Sequence, residues 1–272
     1  MQSHAKSLTI ALDHFLEARA FTRRRAALKP LEAQLQKALA HAFDKQGAAF
    51  LSRLAKRRGK YPPEITEVLD VIAWEDLFEQ AAKETLSAFE KPLHFSILKA
   101  LAHGATNTIA DLGVKMKFDL KSPSAVKYME EHGAKLVRNI NETTRDYLRS
   151  VLTQGAEEGW SYQRTAKAIT DRYQEFSVGV PQKAIRSRAE LIATTENAFA
   201  YSEGTLSVGR DLAKEGLSVQ KQWLAEPSAC DICAENAGED WIPLEDEFSS
   251  GDDMPPAHPA CLCCGQVEAV TD

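Results

Sequence analysis

Cys230-Asp231-Ile232-Cys233, followed by Pro255-Pro256-Ala257-His258-Pro259-Ala260-Cys261-Leu262-Cys263-Cys264, contains all five cysteines of a 272-residue chain. A Cys-x-x-Cys sets two thiolates on one tight turn, where both reach a single metal ion. A His-x-x-Cys-x-Cys brought back by the intervening loop completes a tetrahedron. The spacing therefore predicts a closed structural zinc site cross-linking a small C-terminal lobe. Cys230 and Cys233 are the firmest ligands, since no nearby thiol or imidazole competes with them. The second pair is drawn from His258, Cys261 and Cys263, with His258 plus Cys261 or Cys263 preferred and Cys264 last. The competing readings are a disulfide or inert buried thiols. An odd number of cysteines suits a metal site with a spare. Met1 to Ile10 also lacks the apolar core of a secretory signal, so a reducing compartment is expected.

A catalytic zinc keeps three protein ligands and an open water position beside a general base. The surplus of thiolate-rich donors here favours a closed site instead. The nucleobase deaminase pattern, a His-x-Glu ahead of Pro-Cys-x-x-Cys, does not fit. Pro227 lies three residues before Cys230, and no histidine of the chain has a glutamate two positions on.

Composition is that of a globular protein, with 44% hydrophobic and 26% charged residues. No apolar run approaches the roughly 20 residues of a membrane span. The net charge of −6 conceals a polarity. Residues 1–60 hold thirteen Lys/Arg against four Asp/Glu, whereas residues 222–272 hold twelve Asp/Glu and no Lys or Arg. The basic head, through Arg23, Arg24, Arg25, Arg57, Arg58 and Lys60, is the expected contact for a partner, and the acidic tail is expected to stay clear of DNA.

Upstream of the cysteines the chain reads as helix after helix, so the expected fold is mainly α, a helical body followed by a small α+β zinc-binding lobe. Leu8 to Ala20 has helical spacing. Pro30 is placed as the first residue of a second helix, with Leu31, Leu35, Leu39, Ala42, Ala49, Phe50 and Leu54 along one stripe. Tyr61-Pro62-Pro63 breaks it, and Ile65 to Lys91 forms the next segment. Pro92 and Ser122-Pro123 punctuate two more, the second from about Ser124 to Leu152. Ser161 is the N-cap of a helix from Tyr162 to Tyr173. A long helix from near Pro181 to about Gly216 follows. Val219 to Trp223 then alternates like a strand, and prolines at 227, 243, 255, 256 and 259 forbid long helices beyond it. Two regions are expected: 1–154, helical with the basic head, and 155–272, helices followed by the zinc-knuckle lobe of 217–272.

Three blocks in this order resemble the Mu F-like family of tailed-phage minor head proteins. The stretch from Arg188 to Gly204 resembles the helix that opens the family's domain. Lys221-Gln222-Trp223 with Cys230-Asp231-Ile232-Cys233 and Gly238 is similar to its K-x-W … C-x-x-C-x-x-x-x-G block. Pro255 to Cys263 is similar to its P-P-x-H-P-x-C-R-C close, with Leu262 in place of the usual arginine and Cys264 as an extra thiol. The similarity covers about residues 155–270. It implies a head morphogenesis protein acting by binding, not an enzyme, in the virion and, during assembly, the host cytoplasm. The implied partners are portal and major capsid protein, with DNA secondary, and neither a membrane nor a small-molecule substrate.

The polar residues Arg188, Glu190, Thr194, Thr195, Glu196 and Asn197 assemble no nucleophile–base–oxyanion set. They are expected to form a polar network locking their helix to the zinc lobe, with Leu191, Ile192, Ala198 and Phe199 on the core face. The alternatives weighed are a zinc-dependent treble-clef nuclease and a DNA-binding zinc module. The first lacks a histidine to spare beyond residue 132, His258 being a zinc ligand. The acidic tail opposes the second.

Overall fold

The computed structural model describes residues 2–59, 73–179 and 186–270. Among these are six helices: α1 (Gln2–Arg58), α2 (Trp74–Leu112), α3 (Pro123–Glu157), α4 (Tyr162–Val178), α5 (Arg188–Lys214) and the short α6 (Asp231–Gly238). Three strands complete the chain: β1 (Val219–Leu224), β2 (Trp241–Pro243) and β3 (Cys264–Ala269). The mainly α expectation with a small C-terminal sheet holds. No described helix is long and apolar enough to cross a membrane.

Two prolines read as boundaries are not. Pro30 lies inside α1 and Pro92 inside α2. Each removes one helical N–H, but the buried stripe runs through Pro30 without a break, from Leu28 to Leu31, Leu35 and Leu39. Of the seven stripe residues, all but Ala49 are buried. Pro123 does open α3. Ser161 caps α4 as expected, its hydroxyl accepting from the Arg164 N–H. The break at Tyr61 to Pro63, the start at Ile65 and that near Pro181 lie outside the described residues.

The chain packs as two compact units, neither of them sequential. One takes Gln34–His94 and Met129–Leu191, the other Met1–Ala33, Phe95–Tyr128 and Ile192–Asp272. Position 155 falls inside the unit that takes Met129–Leu191.

In the first of these units, Phe43 stacks edge-on against Phe89 at 5.1 Å and lies 5.4 Å from Phe176. The Arg188 guanidinium sits over the Phe43 and Phe176 rings, at 5.4 and 5.3 Å, and donates to the Thr144 hydroxyl and the Ile140 carbonyl. Burial brings its pKa down to about 10. Arg188 is thus half-buried against this aromatic core, stabilised by cation–π contacts, and these contacts lie away from the metal lobe.

In the other unit α2 and α5 cross at two glycines. A Cβ on Gly104 would sit 1.9 Å from the Tyr201 carbonyl oxygen, and one on Gly204 2.1 Å from that of Leu101. Only glycine allows backbones this near. Ser96 donates to the Asn197 side chain at 2.7 Å and Thr108 to Thr205 at 3.2 Å, so the close crossing leaves these hydroxyls satisfied. Beyond α5 the sheet has the order β2-β1-β3, antiparallel throughout. Leu206, Leu244, Met254 and Val267 fill the space between the sheet and α5.

Candidate metal centre

Cys230 is the N-cap of α6 and Cys233 lies in its first turn, so the Cys-x-x-Cys wraps a helix N-terminus. The second stretch returns through a turn in which the Cys261 N–H bonds the His258 carbonyl, with Ala260 in the left-handed region at φ 58°. The Ala260 N–H bonds the Thr195 hydroxyl of α5 at 3.0 Å. Ser202 of α5 donates to the Pro255 carbonyl. α5 thereby holds both ends of the Pro255–Ala260 segment, through Thr195, which was expected to take part, and Ser202, which was not. Its core face differs from expectation: Ala193, Asn197, Ala198 and Ala200 are buried, while Leu191, Ile192 and Phe199 are half-exposed.

The donor atoms converge. His258 Nε2 lies 3.3 Å from the Cys230 Sγ and 3.6 Å from that of Cys233, and the Cys233 and Cys261 sulfurs are 3.6 Å apart. Cys230, Cys233 and His258 form one metal-competent group and Cys233, Cys261 and Cys263 a second, so Cys233 is common to both. Tetrahedral zinc, with Zn–S of about 2.3 Å and Zn–N of about 2.0–2.1 Å, needs donors about 3.8 Å (S···S) and 3.6 Å (S···N) apart. The spacings fit. Cys230, Cys233 and His258 with either Cys261 or Cys263 make a Cys3His set. Cys264 joins neither group. It is buried near Arg24 and Glu17, and burial pushes its thiol up to about 12.

The His258 ring is oriented as a metal ligand requires. His258 Nδ1 lies 3.1 Å from the Pro259 carbonyl, which only accepts, so Nδ1 carries the proton and Nε2 turns its lone pair to the sulfurs. The same carbonyl is the main cause of the raised His258 pKa. The Cys233 backbone N–H holds the Cys230 thiol below its ordinary value. The Cys261 thiol donates to Cys263 and brings it down to about 5, while Cys261 itself is pushed up. Burial raises Cys233 to about 12. Zinc would take the place of these shared protons.

Around the donors lie aromatic and buried polar side chains. Trp223 and Phe248 stack edge-on at 5.3 Å in a cluster with Cys233, Cys261 and Cys263. The Trp223 indole N–H has no partner at hydrogen-bond distance, yet it lies close enough to Cys263 to favour the thiolate. Lys221, fully buried, sits over Phe248 at 5.6 Å and pairs with Asp253 at 3.5 Å. Asn236, also fully buried, donates to the Ser250 hydroxyl and accepts from the Ser249 hydroxyl and the Ser250 N–H. It pins the 248–252 turn against α6. Sequence reading passed over Asn236, although an asparagine three residues after a Cys-x-x-Cys and ahead of Gly238 was a signal.

The basic residues fall apart as a set. Arg24 is buried, at 6% exposure, and its guanidinium points at the Leu262 and Cys261 carbonyls, 3.3 and 3.5 Å away. It is a prop for the ligand loop and cannot be the surface contact expected of it. Arg23 pairs with Asp111. Arg25 and Arg57 are exposed and Arg58 half-exposed. Lys60 lies outside the described residues.

A Cys/His cluster at a helix N-terminus, backed by a three-stranded sheet and held by a long helix, defines a small lobe built around side chains that could hold a metal ion. Residues 146–265 match the family described as Phage Mu protein F like protein. Over these residues the chain is similar to the Mu F-like phage head morphogenesis family. The match begins within α3 and ends within β3, near the 155–270 expected from the three blocks. No curated protein and no solved structure matches the chain.

Proposed function

We propose that this chain is a minor head protein that acts by binding portal or capsid protein during assembly, with a structural zinc ion holding the lobe that positions its contacts. The observation that carries the reading is the donor cluster inside a Mu F-like segment. Its sulfur and nitrogen spacings suit a closed tetrahedral site, and α5 braces it through Thr195 and Ser202. Bound there, the metal would supply a cross-link between α6 and the Pro255–Cys263 segment, which a lobe of this size needs. The polar residues of α5 favour binding over catalysis. Thr195, Asn197 and Ser202 are each engaged in fold-holding hydrogen bonds.

Assembly in the presence of this chain tests the reading. The wild-type chain should co-purify with assembled heads or with an isolated portal ring, and Cys233→Ser should lose that association while remaining expressed. Recovery of heads that never contain the wild-type chain sinks the proposal. DNA remains the secondary partner, to be compared against portal protein with Arg25 and Arg57 neutralised.

A further inference from the structure

We propose that the outer edge of β3 is a docking site for an extended, basic segment of a partner protein, which adds to the sheet as a fourth strand. The register determines which backbone groups are free. The Val219 carbonyl accepts from the Leu244 N–H on the β2 side, and the Ser218 carbonyl accepts from the Val270 N–H on the β3 side. N–H and C=O of one residue point the same way in an antiparallel ladder, and successive residues alternate. Gln220, Gln222 and Leu224 therefore face β3 and bond Glu268, Gln266 and Cys264, their partners in register. Pro243 agrees with this assignment, since its missing N–H falls at a pair that exchanges no hydrogen bonds. On β3 the N–H and C=O of Gly265, Val267 and Ala269 are then turned away from β1. Among the described residues, no other strand pairs with that edge.

A groove of about 700 Å³ runs along it. All six residues of β3 line the groove, which also extends across the sheet to Gln222 of β1 and Trp241 of β2. Leu16 and Ala20 of α1, with Leu112 and Val114, form apolar parts of the lining. Six strand residues span about 20 Å, room for an extended segment of similar length.

Charge selects the occupant. Glu268 lines the groove on β3 itself and Asp240 lines it farther across the sheet beside β2, and their hydrogen bonds come from the neutral amides of Gln220 and Gln222. Arg19, the basic residue of the lining, is already paired with Asp111. From residue 222 onward the chain carries no Lys or Arg. A strand alternating apolar residues with Lys or Arg matches both the wall and the charge, with main-chain bonds supplying affinity and side chains supplying choice. The strand follows directly on the candidate ligand loop, but which of its N–H groups point outward is set by the ladder to β1.

The test is selection of random octapeptides, displayed singly, against the full-length zinc-supplemented chain, followed by binding of the enriched peptides in solution. Enriched sequences should alternate apolar residues with Lys or Arg. Ala269→Pro removes one outward N–H without touching the ladder to β1, and should weaken binding roughly three- to tenfold. Glu268→Lys should weaken it further. In the unmutated chain, peptide should slow hydrogen exchange at the amides of Gly265, Val267 and Ala269, a readout that survives if a variant fails to fold. The proposal is overturned if no sequence is enriched over the bare support, or if acidic or helical peptides are selected. Binding that leaves those three amides unprotected overturns it equally.

Discussion

Gly204→Ala tests the crossing that positions α5 under the metal lobe. The added Cβ would lie 2.1 Å from the Leu101 carbonyl oxygen and 2.8 Å from the Ala105 nitrogen, both backbone atoms of α2. No side chain can swing aside, so the helices must part by about 1 Å to restore ordinary contact. A gap of 0.5–1 Å forfeits roughly a quarter to a half of each contact's attraction, and overpacking of a rigid site costs about 1–3 kcal/mol. The upper end applies to a backbone clash, about 3 kcal/mol. The higher helix propensity of alanine offsets about 1 kcal/mol of it. The net loss is about 2 kcal/mol, which corresponds to a fall in Tm on the order of 4–8 °C for a domain of this size. Gly238→Ala is the control, because a Cβ there meets nothing within 4 Å. Thermal unfolding of both variants decides the matter. Equal Tm values for Gly204→Ala and wild type would refute the reasoning that close backbone approach requires glycine.

Asn236→Ala leaves the Ser250 N–H and the Ser249 hydroxyl without their acceptor, while the Ser250 hydroxyl keeps its bond to Asp252. It should cost about 2–3 kcal/mol and speed hydrogen exchange at Ser250; unchanged exchange would contradict the pinning role. Arg24→Gln should loosen the ligand loop, seen as protease cleavage near Leu262, whereas neutralising exposed Arg25 and Arg57 should change stability by less than about 0.5 kcal/mol. Burial raises the Glu203 carboxyl above its ordinary value of 4.5, against the pull of Arg210. A raised folded pKa gives stability that is complete below 4.5 and lost as pH rises through the folded value. The stability of Glu203→Gln relative to wild type should therefore climb between pH 4.5 and neutrality in denaturant titrations, and a flat difference would count against it.

The metal lobe was legible because its signal is local. Cysteine spacing and the strand-like alternation of Lys221 and Trp223 depend on neighbours in sequence, and the Ser161 cap does too. The helical body was legible in kind and not in its joints. Pro30 and Pro92 are ordinary stop signals, but an apolar stripe continued on both sides of Pro30 outweighs one lost hydrogen bond, and sequence alone does not show what the stripe packs against. The same limit explains Arg24. In a row of three arginines, burial of the middle one depends on carbonyls more than two hundred residues away. Asn197 likewise lies on the buried face of α5 because Ser96 waits opposite it.

Cys233 is shared by both donor groups, so it is where the account is most exposed to test. Native mass spectrometry of the full-length chain, purified under reducing conditions without chelator, should show one zinc ion per chain. The Cys233→Ser chain should carry none and should become protease-sensitive beyond about Gly216 while its helices persist. A wild-type chain that is zinc-free with an intact lobe would contradict the claim that a metal holds this part of the protein together.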